Sequence, residues 1–174
     1  VDTSYRKVEF PRDGIDLGIR MGKGDWDELY SLCLMMEELV PVCTPEIAAT
    51  ITSPDDLKGK ALLHLVNVTE DWEAWAELAG LSGLDLGGGL RLDTIQMVQE
   101  AAAQGLGIAI GRLPLVQPEL QSGRLVPVLG PPRRARSGYW LVAGRESLAR
   151  PEVIAFRDWI RGELKAVTSP HKTS

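Results

Sequence analysis

The sequence predicts an α/β fold with a largely parallel sheet covered by helices on both sides. Two observations carry that prediction. Short apolar stretches with strand character alternate with amphipathic, capped helix patterns along most of the chain. Residues 93–110 compress the pattern into one unit, in which a capped helix turns at Gly105 into the apolar run Leu106-Gly107-Ile108-Ala109-Ile110. At 174 residues the chain has room for one sizeable domain or two small lobes, since domains commonly run from about 50 to 250 residues.

The elements follow in order. Residues 14–21 read as a buried strand because Ile15, Leu17 and Ile19 alternate with Asp16, Gly18 and Arg20. The next six residues, 22–27, hold turn formers and an exposed Trp26. Residues 32–36 predict a second strand and 39–43 a third. Thr44-Pro45-Glu46 opens a short helix, with threonine as the cap and proline in the first turn, and Ser53-Pro54-Asp55-Asp56-Leu57 repeats the device. Residues 61–66 predict a strand. Thr69 or Asp71 then caps a helix that carries Trp72, Trp75 and Leu78 on one face and ends at Gly80.

After a glycine-rich turn at 87–89, a short strand over 89–92 leads to Asp93. This residue is the expected cap of a helix over 94–104, with Ile95, Val98 and Ala102 on one face. A helix over 115–122 stops at Gly123, and residues 124–129 predict a strand. Arg133, Arg134 and Arg136 beside Pro131 and Pro132 read as a solvated loop. A strand over 139–143 and a helix over 151–166, striped with Val153, Phe156, Trp159, Ile160 and Leu164, complete the chain. Residues 168–174 read as a disordered tail.

Composition excludes several classes. The formal net charge of −5 is opposite in sign to what a domain gripping phosphates by itself requires. Cys33 and Cys43 have no cysteine or histidine neighbour at metal-ligand spacing and read as buried free thiols, and no metal or cofactor site is expected. No apolar run reaches the roughly 18 residues of a membrane span, and no basic-then-apolar leader opens the sequence, so the expected compartment is the cytoplasm.

Catalytic patterns are weak. Of the two histidines, His171 lies in the tail and His64 sits in the apolar run 62–66, where a hydrogen-bonded strand residue is the simpler reading. Gly105-Leu106-Gly107 runs from helix to strand, the reverse of a dinucleotide fingerprint, and Gly22-Lys23-Gly24 lacks the later glycine and the Lys-Ser/Thr pair of a phosphate loop. Asp25 with Asp27, and Asp55 with Asp56, read as turn and cap residues.

Several motifs recur in one order: Val8-Glu9-Phe10, then residues 13–20, 38–45 and 55–57, Asp71-Trp72 with Trp75, the 93–110 unit, 123–126 and 156–160. Together they resemble the C-terminal effector-binding domain of LysR-type transcriptional regulators, in the branch of the glycine-cleavage and β-lactamase regulators. The resemblance spans about residues 8–164 and implies a type 2 periplasmic-binding-protein-like fold, two α/β lobes joined by crossover strands. Lobe one would comprise 1–42 and 143–167, lobe two 43–142, with crossovers near 39–43 and 139–143. It also implies a small-molecule effector in the cleft between lobes, contacted by Thr3, Ser4, Arg20, Asn67, Asp93, Thr94 and Tyr139, and a non-enzymatic role.

Further expectations follow from the resemblance: a homo-oligomer, dimeric or tetrameric in the full-length regulator, and DNA contact through an N-terminal helix-turn-helix not in this sequence. The first strand and helix of lobe one are expected to be absent as well, with 1–5 as the end of the second strand. This implies a fragment of a longer product or an abnormal oligomer, because a lost strand strands its neighbours' backbone groups. The alternative is a solute-binding protein of a transporter, disfavoured by the unpaired thiols. A third reading is an α/β enzyme working through His64 or an acid pair.

Overall fold

The computed structural model describes residues 10, 12–66, 68 and 70–168, without the side chains of 165–168. Its chain divides into two compact units, one formed by 37–135 and the other by the segments on either side. The chain passes from one to the other at Met36/Glu37 and Ala135/Arg136.

In the unit 37–135, β2 (Leu29–Cys43) enters, α1 (Pro45–Ala48) and a 3-10 turn (Pro54–Leu57) follow, and β3 (Leu62–Leu65) leads to α2 (Trp72–Leu78). β4 (Leu90–Leu92), α3 (Ile95–Ala103), β5 (Ile108–Leu113), α4 (Gln117–Ser122) and β6 (Val126–Pro127) complete it. The strand order is β2-β5-β3-β4, with β6 on β2. β3 is parallel to both β4 and β5, whereas β5 and β6 are antiparallel to β2.

The sheet is therefore mixed rather than largely parallel. Alternation of strands and helices identifies crossover units, here β3-α2-β4 and β4-α3-β5. It carries no direction for a strand such as β2 that no crossover helix links to its neighbour.

Both faces of this sheet are buried, and strand alternation decides which residue goes where. Leu39, Leu62, Ile108 and Ile110 pack with Trp72 and Trp75 on one face. Val40, Leu63 and Ala109 pack with Val98 and Ala102 on the other. α2 thus covers one side and α3 the opposite one, as the crossover pattern requires. The indole rings of Trp72 and Trp75 meet edge to face, with centroids 5.8 Å apart.

Gly105 sits at φ 77° just past α3, the left-handed position where glycine carries no steric penalty. Gly107 passes so close to the Ala61 carbonyl that any Cβ would collide with it. These two residues let the helix turn back directly into β5.

The second unit contains β1 (Leu17–Gly22), the start of β2, most of β7 (Arg133–Gly144), a 3-10 turn (Arg145–Ala149) and α5 (Pro151–Thr168). β7 lies between β1 and β2, and β1 is antiparallel to it, from Leu17 opposite Ala143 to Gly22 opposite Gly138. Leu141, Val142, Ala143 and Val153 are buried. Arg150 Nη1 lies 2.5 Å from Asp16 Oδ1.

Several expectations are corrected. The two strands at 32–36 and 39–43 are one continuous β2, because no turn former lies between them. The arginines at 133–136 open β7 instead of forming a loop. Exposed Arg134 and Arg136 alternate with buried Ala135 and Ser137, a strand period that the charge run masks. Cys33 is exposed, and only Cys43 is buried. On α5 the apolar stripe is real but unevenly covered: Val153 is buried while Trp159 remains 57% exposed, touching Phe156 at 5.4 Å between centroids. Periodicity identifies the apolar face and is silent about what covers it. Of the tail, 169–174 lie outside the described residues.

Candidate functional site

In sheets with parallel strands, polar chemistry gathers beyond the carboxyl ends of those strands, and the unit 37–135 follows that rule. His64 and Arg112 are each the next-to-last residue of their strand, β3 and β5. Both project from the face that carries Trp72, since His64 lies two residues after Leu62 and Arg112 two after Ile110.

Arg112 is almost wholly buried, and its Nη1 donates to Glu37 Oε2 at 2.7 Å. Its Nη2 donates to the carbonyl of Glu70. Glu37 is fully buried, and its second oxygen, Oε1, has no hydrogen-bond partner among the described residues. A buried charge pair of this kind holds only when both members stay, because either ion alone would be uncompensated in a low dielectric.

His64 is buried beside them. Its Nε2 lies 2.9 Å from the carbonyl of Gly88, and its Nδ1 lies 3.2 Å from Asp71 Oδ2. Asp71 occupies the cap position of α2, yet its side chain makes no capping bond and turns to His64 instead. Burial raises the Asp71 carboxyl above its ordinary value. His64, Arg112 and the backbone N–H of Leu65 oppose the shift. Trp72 Nε1 donates to the Leu63 carbonyl at 3.1 Å. A cavity of about 300 Å³ opens against these groups, lined by His64, Asp71, Trp72, Glu73, Gly87 and Arg91 among others.

The residues singled out in sequence fall as follows. Thr94, not Asp93, caps α3: its hydroxyl accepts from Met97 N–H at 3.2 Å, and Asp93 is the exposed residue before it. A threonine is as able a cap as an aspartate, so the one-residue choice between neighbours depends on the backbone path.

Arg20 lies on β1 opposite Trp140, over the rings of Phe10 at 5.4 Å and Trp26 at 5.9 Å, and burial lowers its pKa from the ordinary value. Trp140 donates its Nε1–H to the Gly22 carbonyl at 2.9 Å and meets Trp26 edge to face. Tyr139 pairs with Met21, one residue out of step with the Arg20–Trp140 pair. Directly opposed residues share a face and successive ones alternate, so Arg20 and Tyr139 project from opposite faces of the β1–β7 pair. Thr3, Ser4 and Asn67 lie outside the described residues.

Sequence reading did not single out Glu37 or Arg112, and it treated Asp71 only as a cap. The available signal was a charged residue closing each apolar strand pattern, Arg112 after Gly-Ile-Ala-Ile-Gly and Glu37 before Glu-Leu-Val-Pro-Val. His64 is the hydrogen-bonded strand residue expected of it.

Comparison with solved structures defines the class. The chain matches the effector domain of the transcriptional regulator AmpR of Pseudomonas aeruginosa with a TM-score of 0.77 at 28% identity, over 92% of this chain and 77% of that one. The AmpR effector-binding domain of Citrobacter freundii gives the same TM-score at 25% identity, over 92% and 80%. The fold is that of an effector-binding domain of the type 2 periplasmic-binding-protein-like class.

Family assignment is more specific. The chain belongs to the LysR substrate binding domain family, whose model matches residues 1–165. Among curated proteins it is 29% identical to the glycine cleavage system transcriptional activator of Escherichia coli (strain K12) over 157 residues, 88% of this chain and 51% of that protein. It is 30% identical to the HTH-type transcriptional activator AmpR of Pseudomonas aeruginosa over 168 residues, 96% of this chain and 56% of that protein. The chain spans about half the length of these relatives. These matches favour the effector-sensing reading over a transporter solute-binding protein. Among the described residues no helix is long and apolar enough to cross a membrane.

Proposed function

We propose that this chain is the effector-sensing part of a cytoplasmic LysR-type transcriptional regulator that binds a small molecule without transforming it. The observation that carries the reading is the family match over 1–165. Lobe two comprises 43–142 and lobe one 1–42 with 143–167, a division that the compact unit 37–135 supports. The effector is held by polar groups among Thr3, Ser4, Arg20, Asn67, Asp93, Thr94 and Tyr139. Binding favours one of two conformations through a difference in affinity, which is the whole energetic requirement of a sensor. The regulator acts as a homo-oligomer that reaches DNA through a separate helix-turn-helix.

Thermal-shift screening of a metabolite library against the protein tests the reading. A ligand present at about 100 times its Kd stabilises the folded state by about 2.7 kcal/mol, a readily measured rise in Tm. Thr94→Ala should weaken that rise, as should either Arg20→Ala or Tyr139→Phe, whose side chains leave opposite faces of the β1–β7 pair. A library without a single stabilising compound, or a compound chemically turned over, would overturn it.

A further inference from the structure

The hydrogen bonds of His64 impose a proton count. A carbonyl oxygen only accepts, so the contact from Nε2 to Gly88 requires a proton on Nε2. The contact between Nδ1 and Asp71 Oδ2 requires one further proton, carried either by the imidazole or by the carboxyl. Both bonds therefore exist only while the pair holds at least two protons. A third leaves both intact, because a doubly protonated ring still donates at each nitrogen. With one proton, a single bond survives: the ring keeps either Nε2–H for Gly88 or Nδ1–H for Asp71.

We propose that His64 and Asp71 form a proton-locked tether that holds the start of α2 and the 87–89 loop to the carboxyl end of β3, and that loss of the shared proton frees one of them. The tether's parts also line the 300 Å³ cavity of this unit, so its state sets the cavity wall.

The charged surroundings are Glu70 and Glu73 beside Asp71, Asp85 ahead of the loop, Arg91 on β4, and Arg112 on β5 with its partner Glu37 on β2. Arg112 favours the ionised carboxylate, and desolvation favours the protonated one and prevails. Native structure thus retains protons at Asp71 that the unfolded chain would release, and the tether's contribution falls as pH rises. Asp71→Asn separates the tether from the titration. The asparagine amide donates to the Nδ1 lone pair of a neutral ring or accepts from Nδ1–H of a protonated one, and Nε2–H bonds Gly88 in both, so both links survive either state.

The test uses the full 174-residue protein. Long-range nitrogen–proton correlation follows the His64 ring between about pH 5 and 9, and amide exchange is measured over the same range after correction for intrinsic rates. Expected is loss of the proton shared with Nδ1 together with a rise of up to about tenfold in exchange, the loss of one hydrogen bond, at either 87–90 or 72–75. Asp71→Asn should abolish that rise, because the amide meets Nδ1 in either protonation state of the ring. Exchange that rises equally in wild type and Asp71→Asn overturns the proposal. If that variant does not fold, the wild-type spectrum alone decides: ring nitrogens that do not change across the range also overturn it.

Discussion

Arg112 and Glu37 show how much can depend on one residue. Arg112→Leu leaves a fully buried carboxylate without its cation, and the expected cost is about 3–5 kcal/mol in urea unfolding. Glu37→Leu combined with Arg112→Leu should recover much of that loss, since a hydrophobic pair of similar volume replaces a desolvated ion pair. A double variant as unstable as the single one would assign the loss to packing. At this scale the sequence was partly legible. His64 inside an apolar run was identifiable as a bonded strand residue, but its partners Asp71 and Gly88 are seven and 24 residues away. No local pattern pairs residues at such separations.

At the scale of elements, caps and turns make sharper predictions. Thr94→Ala should destabilise the protein by about 1 kcal/mol through the loss of the α3 cap, whereas Thr94→Ser, which keeps the hydroxyl, should be close to neutral in chemical unfolding. The 3-10 turn at Pro54–Leu57 offers a pH-dependent counterpart. Asp56 Oδ2 accepts from the backbone N–H groups of Thr52 and Ser53, each at 2.8 Å, and these bonds bring its carboxyl down to about 2.

The folded value of Asp56 is depressed. Its contribution is therefore present above the ordinary 3.8 and disappears as pH falls towards about 2. The Tm difference between wild type and Asp56→Asn should accordingly shrink across that interval, and a constant difference would contradict the assignment. Helices and turns such as these were legible because cap, proline and glycine signals act within a few residues. Strand limits were less so: Thr44-Pro45 marks where β2 stops, but nothing local shows that 32–36 and 39–43 are one strand that begins at Leu29.

At the scale of the molecule, the unit 37–135 is one unbroken stretch with two buried sheet faces of its own, whereas the other unit is assembled from two segments. A fragment of residues 37–135 should therefore fold alone. It should show cooperative urea unfolding and the near-ultraviolet dichroism of the packed Trp72–Trp75 pair. A broad, non-cooperative transition would mean that its core depends on the remainder of the chain. The fold class and the family were both legible at this scale, because alternating elements and a fixed order of weak motifs accumulate over the whole chain.

The sequence by itself determined where helices start to within a residue or two, where glycine turns the chain, which faces are apolar and which family the chain belongs to. All of these depend on short-range stereochemistry or on motif order. Only the tertiary structure decided strand direction, the burial of Glu37 and Arg112 as a pair, and the diversion of Asp71 from helix cap to histidine partner. It also put Arg20 and Tyr139 on opposite faces of their strands. The physical reason is the same in each case. Hydrogen-bond and charge partners, like sheet register, are settled by which distant segments meet, and a charged side chain near the end of an apolar strand is equally compatible with solvent until that meeting supplies its counterion.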